Sequence, residues 1–326
     1  MTFRSRVPGF KSNLAGAKSR QPITAVNAPL TIVGLGELLW DLFPAGRQLG
    51  GAPANFAYCS HLLGDNGTVV SRLGADELGN DIRESLAAFG LSDDFLESDE
   101  EYPTGTVRVT LDQAGQPDFT ITYPSAWDFL EWTPALEHLA KSADAVAYGS
   151  LAQRSPKSRQ TIRNFLDAVG EDAARVFDVN LRQSFYSAEV LEDSFSRATI
   201  VKLNQDEVPK VAALLGLAAN DARSFCREAL GRFELPLICV TRGGRGSLLV
   251  SPSEEHEHPG YRVKVRDTVG SGDAFTAALL NQYLHGASLA DANDFANRMG
   301  AWVAANSGAM PPAPDEGLLA ALLEMG

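Results

Sequence analysis

The sequence predicts an α/β protein built on a doubly wound, mainly parallel sheet, with a second, small sheet set apart from it. Three observations predict this. Short apolar runs alternate with helical stretches along most of the chain, the signature of right-handed crossovers and a sheet covered on both faces. One stretch, 104–123, breaks that rhythm by alternating apolar and polar residues around a turn. Polar and glycine-rich segments follow the apolar runs, where ligands bind in such sheets.

The elements follow in order. The run TIVGLGE from Thr31 reads as a buried strand. GGAPANFAYCSHLLG reads as a helix, with Pro53 at its first position and Gly64 as its stop. GTVVSRLG is a second short strand, and LGNDIRESLAAFG a helix ending at Gly90. TGTVRVTLDQAGQPDFTITYP is an antiparallel hairpin with one wet face, turning at Gln-Ala-Gly-Gln. From Asp144 the strands DAVAYGS, RVFDVN, TIVKLN and LICVTRG are separated by helices at about 156–169, 188–196 and 205–233. A last helix, AFTAALLNQYLHG, is apolar nearly all round and is therefore expected to be buried.

Composition narrows the function classes. The 326 residues are 44% hydrophobic and 21% charged, ordinary for a soluble domain. No apolar run approaches the roughly 18 residues a membrane helix needs. The formal charge of −13 argues against nucleic acid or an anionic membrane as partner. Cys59, Cys226 and Cys239 are odd in number and widely spaced, which excludes a disulfide framework and points to buried thiols. His256 and His258 lie in a polar segment read as a solvated turn. Residues 1–29 carry Arg4, Arg6, Lys11, Lys18 and Arg20 and no acid. They read as a flexible extension ahead of one domain at 30–326, in a cytoplasmic protein, with organelle targeting as the second reading.

Two segments carry candidate chemistry. In DTVGSGDAF, Gly270 and Gly272 let the chain turn tightly at the mouth of the buried helix. The first helical turn leaves backbone N–H groups unpaired and carries the positive end of the helix dipole. That is an anion hole suited to a phosphoryl group, with Asp273 placed beside it to accept a hydroxyl proton. Asp273 as a plain helix cap fits the motif equally well. In DLFPAGRQLGGAPAN, Asp41, Gly50, Gly51 and Asn55 offer fixed acceptors and donors beside bare backbone, as a hydroxyl-rich ligand requires. A glycine turn with a structural Asn cap is the alternative. GGRGS lacks the Lys-Ser/Thr of a phosphate-binding P-loop, and VGLGELL lacks the third glycine of a dinucleotide fingerprint.

Together, GGAPAN and DTVGSGDAF resemble the ribokinase-like (PfkB) carbohydrate kinase family, over Leu30 to the end. The resemblance implies a ribokinase-like fold whose small β-sheet is a lid, formed here by about 38–50 and 101–128. It implies an ATP-dependent sugar kinase with Asp273 as catalytic base and Gly270, Ser271 and Gly272 as the anion hole. The family more often has Ala at the position of Ser271. Asp41, Gly50, Gly51 and Asn55 match sugar contacts, and Arg182 in DVNLR meets the substrate or the transferring phosphoryl group. Asn204 and Glu207 of KLNQDE match an Asn-x-x-Glu element near Mg2+ and the nucleotide phosphates, acting partly through water. Thr241, Gly243 and Gly246 of TRGGRGS and Asn297 match the nucleotide site. A K+ ion beside the anion hole would rest on backbone carbonyls of Asp267 and Val269, near VAANSGA. Lid pairing across a homodimer is a further implication, with a monomer as the alternative.

Within the family, GGAPANFA and ITYPSAWDFL resemble bacterial fructokinases, the latter placing Trp127 and Asp128 just past the lid. Relatives acting on 2-keto-3-deoxygluconate tend to place basic and aromatic residues in the lid. Here DFTITYP offers Tyr123 but no arginine, while Arg108 lies on the adjoining strand and alternation leaves its face open. Fructose is therefore the expected substrate, ahead of 2-keto-3-deoxygluconate, ribose and, last, nucleosides. A non-catalytic sugar- or nucleotide-binding regulator on the same fold would be expected to have lost Asp273, a glycine of the hole, or Asn204 and Glu207. None is lost.

Overall fold

The computed structural model describes residues 28–44, 46–111, 117–315 and 317–324. The expected extension lies mostly outside them, as does the Gln-Ala-Gly-Gln turn. Thirteen strands are described: β1 (Thr31–Leu35), β2 (Leu39–Phe43), β3 (Gly46–Gly50), β4 (Asn66–Gly74), β5 (Leu96–Asp99), β6 (Gly105–Leu111), β7 (Pro117–Ile121), β8 (Ala145–Gly149), β9 (Ala174–Asp178), β10 (Ile200–Asn204), β11 (Leu237–Thr241), β12 (Ser247–Val250) and β13 (Glu255–His258). The helices are α1 (Ala52–Leu62), α2 (Glu77–Ala88), α3 (Pro134–Ser142), α4 (Pro156–Ala168), α5 (Ala188–Arg197), α6 (Val208–Leu215), α7 (Ala222–Phe233), α8 (Ser271–Leu284), α9 (Leu289–Ala304) and α10 (Leu318–Leu323).

The large sheet has nine strands in the order β13-β12-β11-β10-β9-β8-β1-β4-β5. Its centre is parallel, and β12 and β13 run antiparallel at one edge. The small sheet has the order β3-β2-β6-β7, with β2 and β6 parallel and both outer pairs antiparallel. The α/β architecture with a separate small sheet is therefore as expected. Strand alternation sends successive side chains to opposite faces. Val33, Val146, Phe177, Val201 and Ile238 pack under one layer with Phe165 of α4, Phe195 of α5 and Phe225 of α7. Ile32, Ala145, Val176, Ile200 and Leu237 pack under the other with Phe56 of α1, Ala277 of α8 and Met299 of α9.

α1 lies directly against the sheet. A methyl on Gly34 of β1 would overlap the Pro53 carbonyl, and one on Gly67 of β4 would overlap that of Ala57. This close approach sets the height of Asn55 over the carboxyl end of β1. α8 is buried from Ala274 to Leu280, as its apolar pattern predicts. All three cysteines are free and buried. No helix among the described residues is long and apolar enough to cross a membrane.

Three expectations need correction. The single helix at 205–233 is two, α6 and α7, because Gly216 takes a left-handed conformation (φ 64°) that ends α6. Asp221 then caps α7 through the N–H of Ser224. His256 and His258 are not in a solvated turn. They lie on edge strand β13 and tie it to α9, through Asn293 to His256 and through Asp294 to His258. α3 was not expected, although Thr133 caps it and Pro134 opens it.

Candidate active site

Gly270 precedes α8, its φ of 75° needs a glycine, and a methyl there would press into the backbone of Ala309. No side chain caps this helix, and Asp273 is its third residue. The cap reading of Asp273 therefore fails. Its carboxylate instead accepts a 2.7 Å hydrogen bond from Asn55 Nδ2, joining residues 218 apart in sequence. The Ser271 hydroxyl bonds back to the Thr268 carbonyl at 2.8 Å, which turns it away from the helix mouth.

Beneath this mouth lies a pair that the sequence reading missed. Lys202 of β10 sits in register with Asp178 of β9, and its ammonium bonds both carboxylate oxygens at 2.9 and 3.2 Å. Both residues are buried. A Cβ on Gly272 would stand 3.0 Å from the Lys202 ammonium nitrogen, so a bare glycine lets this cation reach up to the first turn of α8. Thr276 of α8 completes the cluster, 3.4 Å from Asp178. Burial works against the charge of Lys202, yet the carboxylates of Asp178 and Asp273 outweigh it and raise its pKa. Burial pushes Asp273 up to about 6, and Asp178 adds to the rise, while Lys202, the Asn55 bond and Arg182 oppose it. The signal available in sequence was an acid and a base at the carboxyl ends of two neighbouring apolar strands.

Asp41, on β2, and Gly50, on β3, come together: a Cβ on Gly50 would meet the Asp41 carboxylate at 2.5 Å. Gly51 precedes α1 and packs against the backbone of Glu37. Burial raises Asp41 to about 6, opposed by Arg182. Arg182 itself is exposed, and its charge acts on Asp41, Glu37 and Asp273 alike. Arg182 thus acts electrostatically on both Asp41 and Asp273, and Asn55 is bonded to Asp273. Glu37, also missed in sequence, is buried and raised to about 7 by burial.

On the other side, Glu207 accepts from the N–H groups of Leu181 and Asn204 at 2.7 and 2.8 Å, so its carboxylate has a fixed direction. Burial raises it, and Asp178 adds to the rise. Asn204 caps the same turn by accepting from Asp206 and Glu207. Thr241 ends β11, and Gly243 and Gly246 shape the turn into β12. Asn297 is buried below that turn, donating to the Ser247 hydroxyl and the Asn293 carbonyl at 2.7 Å. Asp267 accepts from the N–H groups of Val269 and Gly308, pinning the loop before α8 to the segment after α9.

The comparisons agree with this geometry. A model of the pfkB family carbohydrate kinases matches residues 43–316. The fructokinase of Escherichia coli is 31% identical over 300 residues, 86% of this chain and 95% of that protein. Among solved structures, the fructokinase of Vibrio cholerae O395 with fructose, ADP and calcium has a TM-score of 0.78 at 26% identity, covering 92% of this chain and 99% of its own. A double mutant of that enzyme is solved with fructose, ADP and potassium, at 26% identity and TM-score 0.75, covering 91% of this chain and 98% of its own. A sugar kinase of Pyrococcus horikoshii in complex with ATP has a TM-score of 0.75 at 28% identity, covering 90% of this chain and 99% of its own. The match spans most of the sequence and nearly all of each relative, so the chain belongs to the pfkB family of carbohydrate kinases and is an ATP-dependent sugar kinase.

Proposed function

We propose that this enzyme is a fructokinase, transferring the γ-phosphoryl group of ATP to a hydroxyl of fructose. The observation that carries the reading is the Asn55–Asp273 bond, which makes one site of the sugar-side glycine turn and the helix mouth. Asp273 accepts the proton of the attacking hydroxyl as its oxygen bonds to the γ-phosphorus and the bond to the bridging oxygen of ADP breaks. Backbone N–H groups of Gly270, Ser271 and Gly272 hold the phosphoryl oxygens, and Lys202 supplies positive charge from below. Asp41, Gly50, Gly51 and Asn55 hold the sugar, and Arg182 stands over both partners. Thr241, Gly243 and Gly246 line the nucleotide side, with Asn297 bracing their turn from beneath.

Magnesium suits this donor set. Glu207 is fixed in direction and raised by burial and, behind it, by the Asp178 carboxylate, both of which a dication would offset, and Mg2+ keeps several waters when bound. Asn204 and Glu207 would orient it through water, and it would neutralise phosphate charge. A potassium ion would rest on the carbonyls of Asp267 and Val269, in the loop that the Asp267 carboxylate pins. The potassium-bound relative supports that reading. The one-domain reading of 30–326 extends to a cytoplasmic enzyme, a monomer or a dimer paired through the lid.

The test is ADP release from the purified protein with ATP, Mg2+ and a panel of fructose, ribose, 2-keto-3-deoxygluconate and nucleosides. The highest kcat/KM is expected with fructose. Preference for another sugar overturns the substrate, and no turnover with any of them leaves a binding protein.

A further inference from the structure

Four buried polar atoms on or beside the sugar-side residues have no hydrogen-bond partner among the described residues: Oε2 of Glu37, Oδ1 of Asn55, Nε1 of Trp127 and Nη1 of Arg154, of which Glu37 and Arg154 are the charged acceptor and donor. Glu37 is 3% exposed, and the Arg154 side chain 2%. Leaving such groups unpaired is unfavourable enough that each one in a native fold calls for an explanation.

The two residues are neighbours. On one side of Glu37, a Cβ on Gly36 would stand 3.1 Å from Cβ of Ala152, in the 3-10 turn that leads into Arg154. On the other side, the Leu38 carbonyl lies 3.2 Å from the Cβ position of Gly105, a position that Trp127 Nε1 also fills. The Arg154 guanidinium stacks over that Trp127 ring at 3.8 Å. Its Nε and Nη2 are committed to Asp128 and to the Thr122 carbonyl at 2.7 Å, and the rings of Tyr123 and Phe185 flank it. The Glu37 carboxyl is held by its own backbone N–H, and the charges of Arg182, Asp273 and, least of the three, Arg154 act on it. No ion pair joins Glu37 to Arg154 among the described residues.

An orphan acceptor and an orphan donor carried on touching turns match the chemistry of a hydroxyl, which donates to one and accepts from the other. We propose that Glu37 and Arg154 together read one hydroxyl of the sugar, distinct from the one that is phosphorylated, and so set substrate specificity. The reacting hydroxyl belongs to Asp273. The charge of Arg154 is already matched by Asp128, while Glu37 repels a carboxylate, so the pair favours a neutral polyol over a sugar acid. Thr122, Tyr123 and Asp128 follow or end the small sheet, so the same hydroxyl would be held at the base of the lid.

The proposal rests on the sugar-kinase activity and not on the identity of the sugar. The experiment uses whichever sugar gives the highest kcat/KM, so failure of the fructose reading leaves it intact. Wild type and Glu37→Gln are compared on that sugar and on its single-deoxy analogues. The substitution keeps the side-chain shape and removes a buried charge, so the fold is expected to survive, checked by the unfolding midpoint. On the parent sugar, E37Q is expected to raise KM by about 10- to 100-fold, the range for losing a hydrogen bond to a charged group, with KM for ATP unchanged. One deoxy analogue should suffer the same loss with wild type and no further loss with E37Q. Equal penalties from E37Q on every analogue, an unchanged KM for the parent sugar, or a parallel rise in KM for ATP would overturn the proposal in favour of a structural role or a bridging water.

Discussion

Asp273 is pulled in two directions: burial and Asp178 favour its proton, and Lys202, Asn55 and Arg182 favour its loss. With its pKa at about 6, the carboxylate is the active form, so kcat/KM should fall about tenfold per unit as pH drops below about 6. A pH profile between 5 and 9 checks this, and a flat acid limb would contradict it. Asp273→Asn keeps the Asn55 neighbour but accepts no proton, and turnover should fall by about 10²-fold or more with nucleotide binding retained. Near-normal turnover would remove Asp273 from the role of base. Glu37 makes a stability prediction of its own. Its folded pKa of about 7 lies above the ordinary 4.5, so the folded state binds the extra proton. That advantage is complete below pH 4.5 and is lost as pH rises through 7. Glu37→Gln should therefore flatten the fall in stability across that window, by at most about 3 kcal/mol, measured by denaturant unfolding at several pH values. Asp273 and Asn55 were legible in sequence because glycines flank them. Glu37, Asp178, Lys202 and Arg154 were not, because each is a charge in or after an apolar run whose partner is set by strand register or by a distant turn.

At the level of elements, β9 and β10 meet through Asp178 and Lys202, directly opposite in the parallel register. Removing one member leaves the other charged and buried. Lys202→Met should cost about 3–5 kcal/mol, and the double change Lys202→Met with Asp178→Asn should recover most of it, as read from denaturant midpoints. A double variant no more stable than the single would show that the pair is not coupled. The α1–β1 contact couples packing to chemistry in the same way. Gly34→Ala would push the Pro53 carbonyl, and with it α1 and Asn55, away from α8. A loss of about 1–3 kcal/mol is expected, with a lower kcat as Asp273 loses its partner. An unchanged kcat would place Asn55 outside the catalytic geometry. The β/α rhythm was readable because its apolar runs are short and bounded by polar turns. β13 was not, since an edge strand with the sequence EHEH has no apolar face to announce it. The break between α6 and α7 hid because helical periodicity continues on both sides of Gly216.

For the whole molecule, charge governs how the two substrates arrive. The chain carries a net −13, and of the cations at the site Lys202 is paired with Asp178 and Arg154 with Asp128, which leaves Arg182 as the exposed one. The two scales separate by ionic strength. At 0.01 M the Debye length is about 30 Å, so an approaching nucleotide feels the acidic molecule as a whole. At 0.15 M it is about 8 Å, and only the cations beside the anion hole remain in view. An anionic Mg-nucleotide should therefore meet a repulsive field at low salt that screening removes, whereas a neutral sugar should be indifferent. Raising ionic strength over that range with tetramethylammonium chloride, which adds no potassium, is expected to increase kcat/KM for ATP a few-fold and to leave kcat/KM for the sugar unchanged. A fall in kcat/KM for ATP would mean that the local cations already dominate at long range. A parallel change for the sugar would instead point to a salt effect on the fold.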